Sequence, residues 1–230
     1  MPKIKLAILI PAYNEGTVIG PVIAAIPKTL EYVLGIKTVV IDDGSKDATG
    51  QAARAAGAIV LRHRINRGVG VATTTGLTAA RRLDADIAVT MDADGQHDPA
   101  ELAKMITPIR LGQADIVVGT RLTNPEGMPA IRRIGNQLMN GILRVFWGIR
   151  TTDSQSGYRA YGREALERLH VTTGGFEVCT EILYVAKQDG LRVAEVPITT
   201  IYTDYSRAKG QNPITALLTF LRFLARVLMG

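Results

Sequence analysis

Short apolar runs alternate with segments of helical periodicity through the first half of the chain, and no other feature narrows the fold so far. The apolar runs fall at Ile4–Ile10, Ile36–Ile41, Ala58–Leu61, Ile87–Met91 and Ile116–Val118, each about as long as a buried strand. Helix-patterned segments separate them, at Thr17–Leu34, Lys46–Ala56, Val69–Leu83 and Pro99–Leu111. Asp98 and Pro99 read as the N-cap and first turn of the last of these. Strands alternating with helices pair mainly in parallel, so the pattern predicts an α/β, Rossmann-like domain: a largely parallel sheet with helices on both faces.

The second half changes character. Loop-like chain from Leu122 to Pro129 leads to a helix over Ile131–Trp147 and a polar segment, Thr151–Gly157. A helix over Val178–Gln188 and a strand over Val193–Ile201 follow. Ile214–Met229 is apolar but carries Arg222 and Arg226, four apart. Packing into the core and lying along a membrane surface as a basic amphipathic helix both suit it. Without repeats or a linker, 230 residues divide into one domain over 1–212 and a C-terminal amphipathic helix over 213–230.

Ligands of such sheets bind at the carboxyl ends of the strands. Polar residues gather there: Pro11-Ala12-Tyr13-Asn14-Glu15 after the first run, Asp42-Asp43-Gly44-Ser45 after the second, Asp92-Ala93-Asp94-Gly95-Gln96 after the fourth. Carboxylates converging on one sheet edge repel one another unless a cation intervenes. Asp92 and Asp94, one residue apart at a strand end, can lean towards one ion, and Gln96 adds a neutral oxygen. Hard oxygen donors of this kind suit Mg²⁺ or Mn²⁺. The Asp42–Ser45 turn has two compatible readings. Gly44 permits a bend and Ser45 or Asp47 caps a helix, while Asp42, directly behind four apolar residues, suits a bond to a base or ribose.

Other classes are disfavoured. Arg67-Gly68-Val69-Gly70 resembles a dinucleotide fingerprint, but Thr73 occupies the position of its third glycine. Gly68 and Gly70 are expected to let backbone approach the donor instead. The net charge of +6 favours anionic partners. At 5% aromatic residues, and without an RNP-like motif, no nucleic acid is expected among them. One cysteine, Cys179, excludes an internal disulfide and suits a reducing cytoplasm. No cleavage pattern opens the chain and no run of 18 uncharged apolar residues occurs, so neither a signal peptide nor a membrane span is expected.

Taken in order, Pro11–Glu15, Asp42–Ser45, Asn66-Arg67-Gly68, Asp92–Pro99, Val118-Gly119-Thr120-Arg121 and Asp153-Ser154-Gln155-Ser156-Gly157-Tyr158-Arg159 resemble family 2 glycosyltransferases, in particular the dolichol-phosphate mannose synthase branch. The likeness runs from about Lys5 to about Pro213. It implies a GT-A fold and inverting transfer of a hexose from a nucleotide sugar, GDP-mannose or a UDP-hexose, to dolichyl or polyprenyl phosphate. It further implies that Pro11, Tyr13, Glu15 and Asp42 hold the nucleoside, and that Asp92, Asp94 and Gln96 hold the metal. By the same likeness Arg121 and Arg133 face donor and lipid phosphates, and Lys209 contacts the diphosphate or the acceptor phosphate. Relatives often carry an arginine about six residues before that lysine. Thr203 stands near the position here, leaving Arg207 as the nearest substitute.

A hydroxyl acceptor needs a base and a phosphate monoester does not. Asp153 is the candidate base if the acceptor is a hydroxyl, and otherwise organises its loop or an arginine. Glu181 is a second carboxylate, read here as an ordinary exposed helical glutamate. Arg132 and Arg133 open a helix, where cations oppose the macrodipole; an anionic partner or a solvated surface pair accounts for them equally. The candidate catalytic residues are therefore Asp92, Asp94, Arg121 and Asp153, with Arg133 and Arg207 at the acceptor phosphate. The enzyme is expected in the cytoplasm, peripheral at the cytoplasmic face of a membrane. A non-catalytic nucleotide-sugar-binding module is the competing reading from another class, and the intact Asp42, Asp92, Asp94 and Gln96 speak against it.

Overall fold

A computed structural model describes residues 3–121 and 130–201, the side chains of 130–132 apart. Its strands are β1 (Ile4–Ala12), β2 (Val33–Asp42), β3 (Ile59–Arg62), β4 (Ile87–Thr90), β5 (Ile116–Thr120), β6 (Arg159–Gly162) and β7 (Val193–Pro197). Its helices are α1 (Ile19–Ala24), α2 (Thr49–Ala55), α3 (Val69–Arg82), α4 (Leu102–Arg110), α5 (Ala130–Trp147), α6 (Arg163–Arg168) and α7 (Val178–Gln188). The seven strands form one sheet in the order β3-β2-β1-β4-β6-β5-β7.

Every pairing is parallel except those of β6, which runs antiparallel to both β4 and β5. The fold is thus the expected α/β sheet with one reversed strand. Arg159, the first residue of β6, pairs with Thr90, the last of β4. The chain entering β6 therefore lies at the edge where β1, β2 and β4 end.

Alternation along the strands divides the core between the two faces. Ile8, Ile10, Val40 and Val89 pack with Leu102 and Met105 on one side. Leu9, Val39, Ile41 and Ala88 pack with Leu77 and Ile182 on the other. Both faces being covered, β1 is buried almost throughout and reads as a continuous apolar run. Gly76 brings α3 close to the sheet: a Cβ there would stand 3.0 Å from the Ile41 side chain.

Several boundaries differ from the sequence pattern for local reasons. The helix expected over Thr17–Leu34 is only Ile19–Ala24. Pro27 lacks an N–H and biases the residue before it away from helix, which ends the element early. The freed chain lets β2 start at Val33. The helix expected from Pro99 opens with a 3₁₀ turn, Pro99–Glu101, capped by the Asp98 carboxylate accepting the Ala100 N–H at 2.9 Å. β7 ends at Pro197 rather than Ile201. The short β6 and α6 fall where no periodicity is legible, because four and six residues are too few to display one.

Candidate active site

Two loops at the sheet edge brace each other through side chain to backbone bonds. Ser45 Oγ accepts the Asn14 N–H at 3.0 Å, Asn14 Oδ1 accepts that of Lys46 at 2.9 Å, and Thr49 Oγ1 accepts that of Glu15 at 2.7 Å. Asp47 bonds the N–H groups of Gly16 and Thr49 at 2.9 and 3.0 Å, so Asp47 rather than Ser45 reaches the helix start. Asn14 adopts φ 55°, a left-handed value that asparagine tolerates. Pro11, Tyr13 and Glu15 are thereby set on a fixed rim, Tyr13 37% exposed and Glu15 buried.

Asp42 ends β2 fully buried. Its Oδ1 accepts the Ser45 N–H at 2.9 Å. Its Oδ2 has no hydrogen bond among the described residues, and the largely exposed Arg62 guanidinium stands 3.4 Å away. A buried carboxylate oxygen left in this state calls for a donor. Asp43 has a different task, accepting the N–H groups of Arg67 and Gly68 at 3.0 and 2.8 Å and bonding His63 Nδ1 at 2.6 Å. This brace of the loop after β3 has no signal in the sequence.

Gly68 and Gly70 serve that loop, contrary to the expected approach to a donor. A Cβ on Gly68 would lie 2.3 Å from the Gly174 carbonyl oxygen, and one on Gly70 2.2 Å from that of Thr173. The Gly70 N–H donates to Gly174 O at 2.9 Å. The glycines thus permit contact between two stretches of protein backbone.

Asp92 and Asp94 follow β4 on a tight turn. The Gln96 N–H donates to Asp94 Oδ1 at 3.0 Å, and its side-chain amide faces Asp94 Oδ2. His97, buried and stacked on Tyr158 at 4.8 Å, accepts the Asp92 N–H on Nδ1 at 3.1 Å. That bond puts the imidazole proton on Nε2, 3.5 Å from Asp92 Oδ2. Burial is the main cause pushing the His97 pKa down to about 4, so the ring is neutral near pH 7. Gly157 leaves room for the Asp92 carboxylate, since a Cβ there would stand 2.6 Å from Oδ1.

Both carboxylates are pushed above the usual range. For Asp92 burial is the largest cause, opposed by Arg121 and reinforced by Glu15; for Asp94 burial is followed by the charge of Asp92. The Asp92 side chain keeps 48% of its surface open to the cleft, and water there limits the size of its shift without changing its direction. Among the described residues no group of three or more His, Cys, Asp or Glu forms a closed metal cage. Two carboxylates in want of counter-charge and one amide fit Mg²⁺ or Mn²⁺, ions that take few protein ligands and fill their shell with phosphate oxygens and water.

Arg121, directly after β5, lies across the cleft. Its Nε and Nη2 donate to the two oxygens of Asp153 at 2.7 and 2.8 Å, and its backbone N–H adds a bond at 3.1 Å. Asp153 is completely buried. Glu195 on β7 holds the same loop by accepting from Thr151 Oγ1 and Thr152 N at 2.6 and 2.7 Å. Arg159, 1% exposed, donates to the carbonyl oxygens of Ser154, Ser156 and Cys179 at 2.7, 2.9 and 2.7 Å. These three acceptors offset the cost of burying its charge and fix the loop against α7.

Glu181 is buried, correcting its reading as an exposed helical residue. It accepts the N–H and hydroxyl groups of Thr172 and Thr173, and so shapes the stretch that meets Gly68 and Gly70. Arg133 lies exposed in the first turn of α5. Thr203, Arg207, Lys209 and the helix expected over 213–230 lie outside the described residues, as do Leu122–Pro129.

Between the Asp92 turn and α7 opens a cleft of about 530 Å³, counted to its mouth and lined by Pro11, Thr73, Asp92, Gln155, Phe176 and Cys179 among others. An α/β sheet with acidic turns at one edge around such a cleft is the arrangement expected of the GT-A glycosyltransferases that the sequence resembles, and the comparisons with known proteins show that class. The chain belongs to glycosyl transferase family 2, whose sequence model matches residues 7–170. It is 39% identical to a UDP-N-acetylglucosamine–dolichyl-phosphate N-acetylglucosaminyltransferase of Methanococcus voltae, over 94% of each chain. With a polyprenol monophosphomannose synthase of Mycolicibacterium smegmatis it shares 32%, over 86% of this chain and 78% of the relative. Its fold resembles that of glucosyl-3-phosphoglycerate synthase from Mycobacterium tuberculosis, with TM-score 0.73 and 24% identity over 95% of this chain and 79% of that one. A crystal structure of that enzyme with Mn²⁺, UDP and glucosyl-3-phosphoglycerate gives TM-score 0.72 and 22% identity, over the same shares.

Proposed function

We propose that this glycosyltransferase moves a hexose, with inversion, from a nucleotide sugar to the phosphate of a dolichyl or other polyprenyl phosphate, in the presence of Mg²⁺ or Mn²⁺. The observation that carries this reading is the pair Arg121–Asp153. A hydroxyl acceptor would require Asp153 as base, yet both its oxygens accept from Arg121 and no part of it meets solvent. A phosphate monoester is already anionic near neutral pH and needs no proton removed. The acceptors in the names of the Methanococcus and Mycolicibacterium relatives agree with this.

In this mechanism a phosphate oxygen attacks the anomeric carbon from the face opposite the leaving group. The new C–O bond forms as the bond to the nucleoside diphosphate breaks, and the electron pair departs with the diphosphate. Asp42 bonds base or ribose, while Pro11, Tyr13 and Glu15 form the nucleoside rim. Asp92, Asp94 and Gln96 hold the divalent ion, which when bound neutralises charge on the leaving diphosphate. Asp153 orients Arg121 towards the phosphates. His97, neutral and stacked on Tyr158, keeps the Asp92 turn in place. Arg133, Arg207 and Lys209 are assigned to the phosphates.

No helix among the described residues is long and apolar enough to cross a membrane. A peripheral position at the cytoplasmic face, with 213–230 along the membrane, suits a lipid acceptor. The experiment is transfer from GDP-mannose, UDP-glucose and UDP-N-acetylglucosamine to polyprenyl phosphate and to free saccharides, with and without Mn²⁺. Transfer to polyprenyl phosphate is expected. Transfer to saccharides alone overturns the acceptor, and undiminished transfer in a chelator overturns the metal.

A further inference from the structure

The cleft has two unlike walls. On one side stands the Asp92 turn; on the other the chain entering α7 presents Phe176, Val178 and Cys179. Phe176 lines this cleft and is 48% exposed, an aromatic ring left open opposite a carboxylate. Gln155 reaches the same cleft from the loop before β6. Its Nε2 donates to Thr180 Oγ1 at 3.2 Å and to Ser154 Oγ at 3.4 Å, and its Oε1 has no hydrogen bond among the described residues.

The stretch that carries Phe176 is held from two directions. Glu181, in the first turn of α7, folds back on it. One carboxylate oxygen accepts the Thr172 hydroxyl at 2.7 Å, and the other accepts the N–H and hydroxyl of Thr173 at 2.8 and 2.5 Å. From the far side the Gly70 N–H meets Gly174 O at 2.9 Å, and Asp43 grips the 66–70 loop at Arg67 and Gly68. The Cys179 N–H donates to the Phe176 carbonyl oxygen at 3.2 Å, which ties Phe176 into the helix start. A carboxylate saturated by such donors cannot take a proton or a metal without losing them, so Glu181 acts through what it holds. A wall fixed in this way costs little to order when a ligand arrives.

The chemistry of a donor gives that wall a ligand. In a nucleotide sugar the anomeric carbon is one oxygen away from the diphosphate, so a diphosphate held at Asp92 puts the sugar ring in this cleft. A pyranose carries hydroxyls around its rim and C–H bonds on its faces. The negative face of an aromatic ring suits the C–H face, and an amide oxygen suits a hydroxyl.

We infer that Phe176 is the sugar wall of the donor site, lying against the C–H face of the hexose while Gln155 Oε1 accepts from one of its hydroxyls, and that Glu181 is the positioning residue that sets Phe176 there. This deepens the proposed function and rests on its nucleotide-sugar donor, whereas the acceptor plays no part in it.

Binding measured without acceptor tests it. Titration calorimetry with Mn²⁺ compares UDP with UDP-glucose and UDP-N-acetylglucosamine, and GDP with GDP-mannose. For the pair that binds, Phe176→Ala should weaken the nucleotide sugar roughly three- to tenfold and leave the nucleoside diphosphate unchanged. Phe176→Tyr should restore wild-type binding. Glu181→Gln sets an NH₂ group against N–H donors and should shift the same ratio of affinities. Added to Phe176→Ala it should shift the ratio no further, whereas a general loss of structure weakens both ligands alike. Thr173→Val, which removes one donor at nearly constant shape, takes the place of Glu181→Gln if that variant does not fold. An unchanged ratio in Phe176→Ala overturns the wall. So does a rise in the KM of polyprenyl phosphate in place of the donor KM, which would put the lipid there. A Glu181 effect that persists in full beside Phe176→Ala overturns the positioning role. A wild type that binds UDP or GDP but none of the three nucleotide sugars would overturn the donor and the wall together, whereas the unchanged ratio overturns the wall alone.

Discussion

Arg121 and Asp153, 32 residues apart, meet in a two-pronged ion pair in which each carboxylate oxygen accepts one guanidinium N–H. The pair leaves the aspartate no role in taking a proton and gives the arginine a fixed direction. Asp153→Asn should therefore lower stability by roughly 2–3 kcal/mol, because one partner of a buried charge-assisted pair is lost. Turnover should fall without the disappearance of a titrating group from the pH–rate profile. A loss of about 10²–10⁴-fold in kcat at unchanged Tm would instead mark Asp153 as a base.

Asp94→Ala should remove Mn²⁺-dependent donor binding and leave the fold intact. The charge of Asp92 raises the cost of ionising Asp94, so deleting Asp94 relieves repulsion, and Tm should hold or rise slightly. Titration calorimetry with Mn²⁺ and nucleotide checks it. Turnover within a few-fold of wild type at saturating metal would refute the metal assignment.

Asp42→Asn keeps an oxygen for the Ser45 N–H but removes the charge at the buried position without a donor. A contact to base or ribose exists in ground and transition states alike, so the donor KM should rise about tenfold or more while kcat changes little. Collapse of kcat at constant donor affinity would give Asp42 another task.

Gly68→Ala should destabilise the protein by at least about 2 kcal/mol. Gly68 sits at φ 91°, and the added methyl would meet the Gly174 carbonyl. Urea unfolding measures this. A variant as stable as wild type would show that the 66–70 and 173–175 loops can part at little cost.

Asp84 joins Lys5 and Arg163 in a surface network between β1 and α6. Bonding to Lys5, then to Arg163, lowers its pKa to about 2. A depressed carboxylate contributes stability above its ordinary pKa and loses it as pH falls through the folded value. The contribution should be complete above about pH 4 and fade towards pH 2. Urea midpoints of wild type and Asp84→Asn should converge across that window, and a constant difference would exclude the linkage.

What the sequence by itself determined is the α/β class, most strand and helix positions in the first half, and the acidic turns at the strand ends. Those features are local: a buried parallel strand needs a continuous apolar run, and a turn declares itself through glycine, proline and capping residues. Even helix α7 stands over Val178–Gln188, where its periodicity places it. What only the tertiary structure decided is which distant segments share the sheet edge. The reversal of β6, too short to show a pattern, carries Asp153–Tyr158 to the Asp92 turn, and nothing within that segment encodes the partner it meets. The burial of Glu181 and Asp153, the pairing of the latter with Arg121, and the contact of Gly68 and Gly70 with 173–175 are long-range in the same sense. A carboxylate in a helix or a glycine in a loop has the same local chemistry whether it faces water or another chain segment. Its role is set by what folding brings against it.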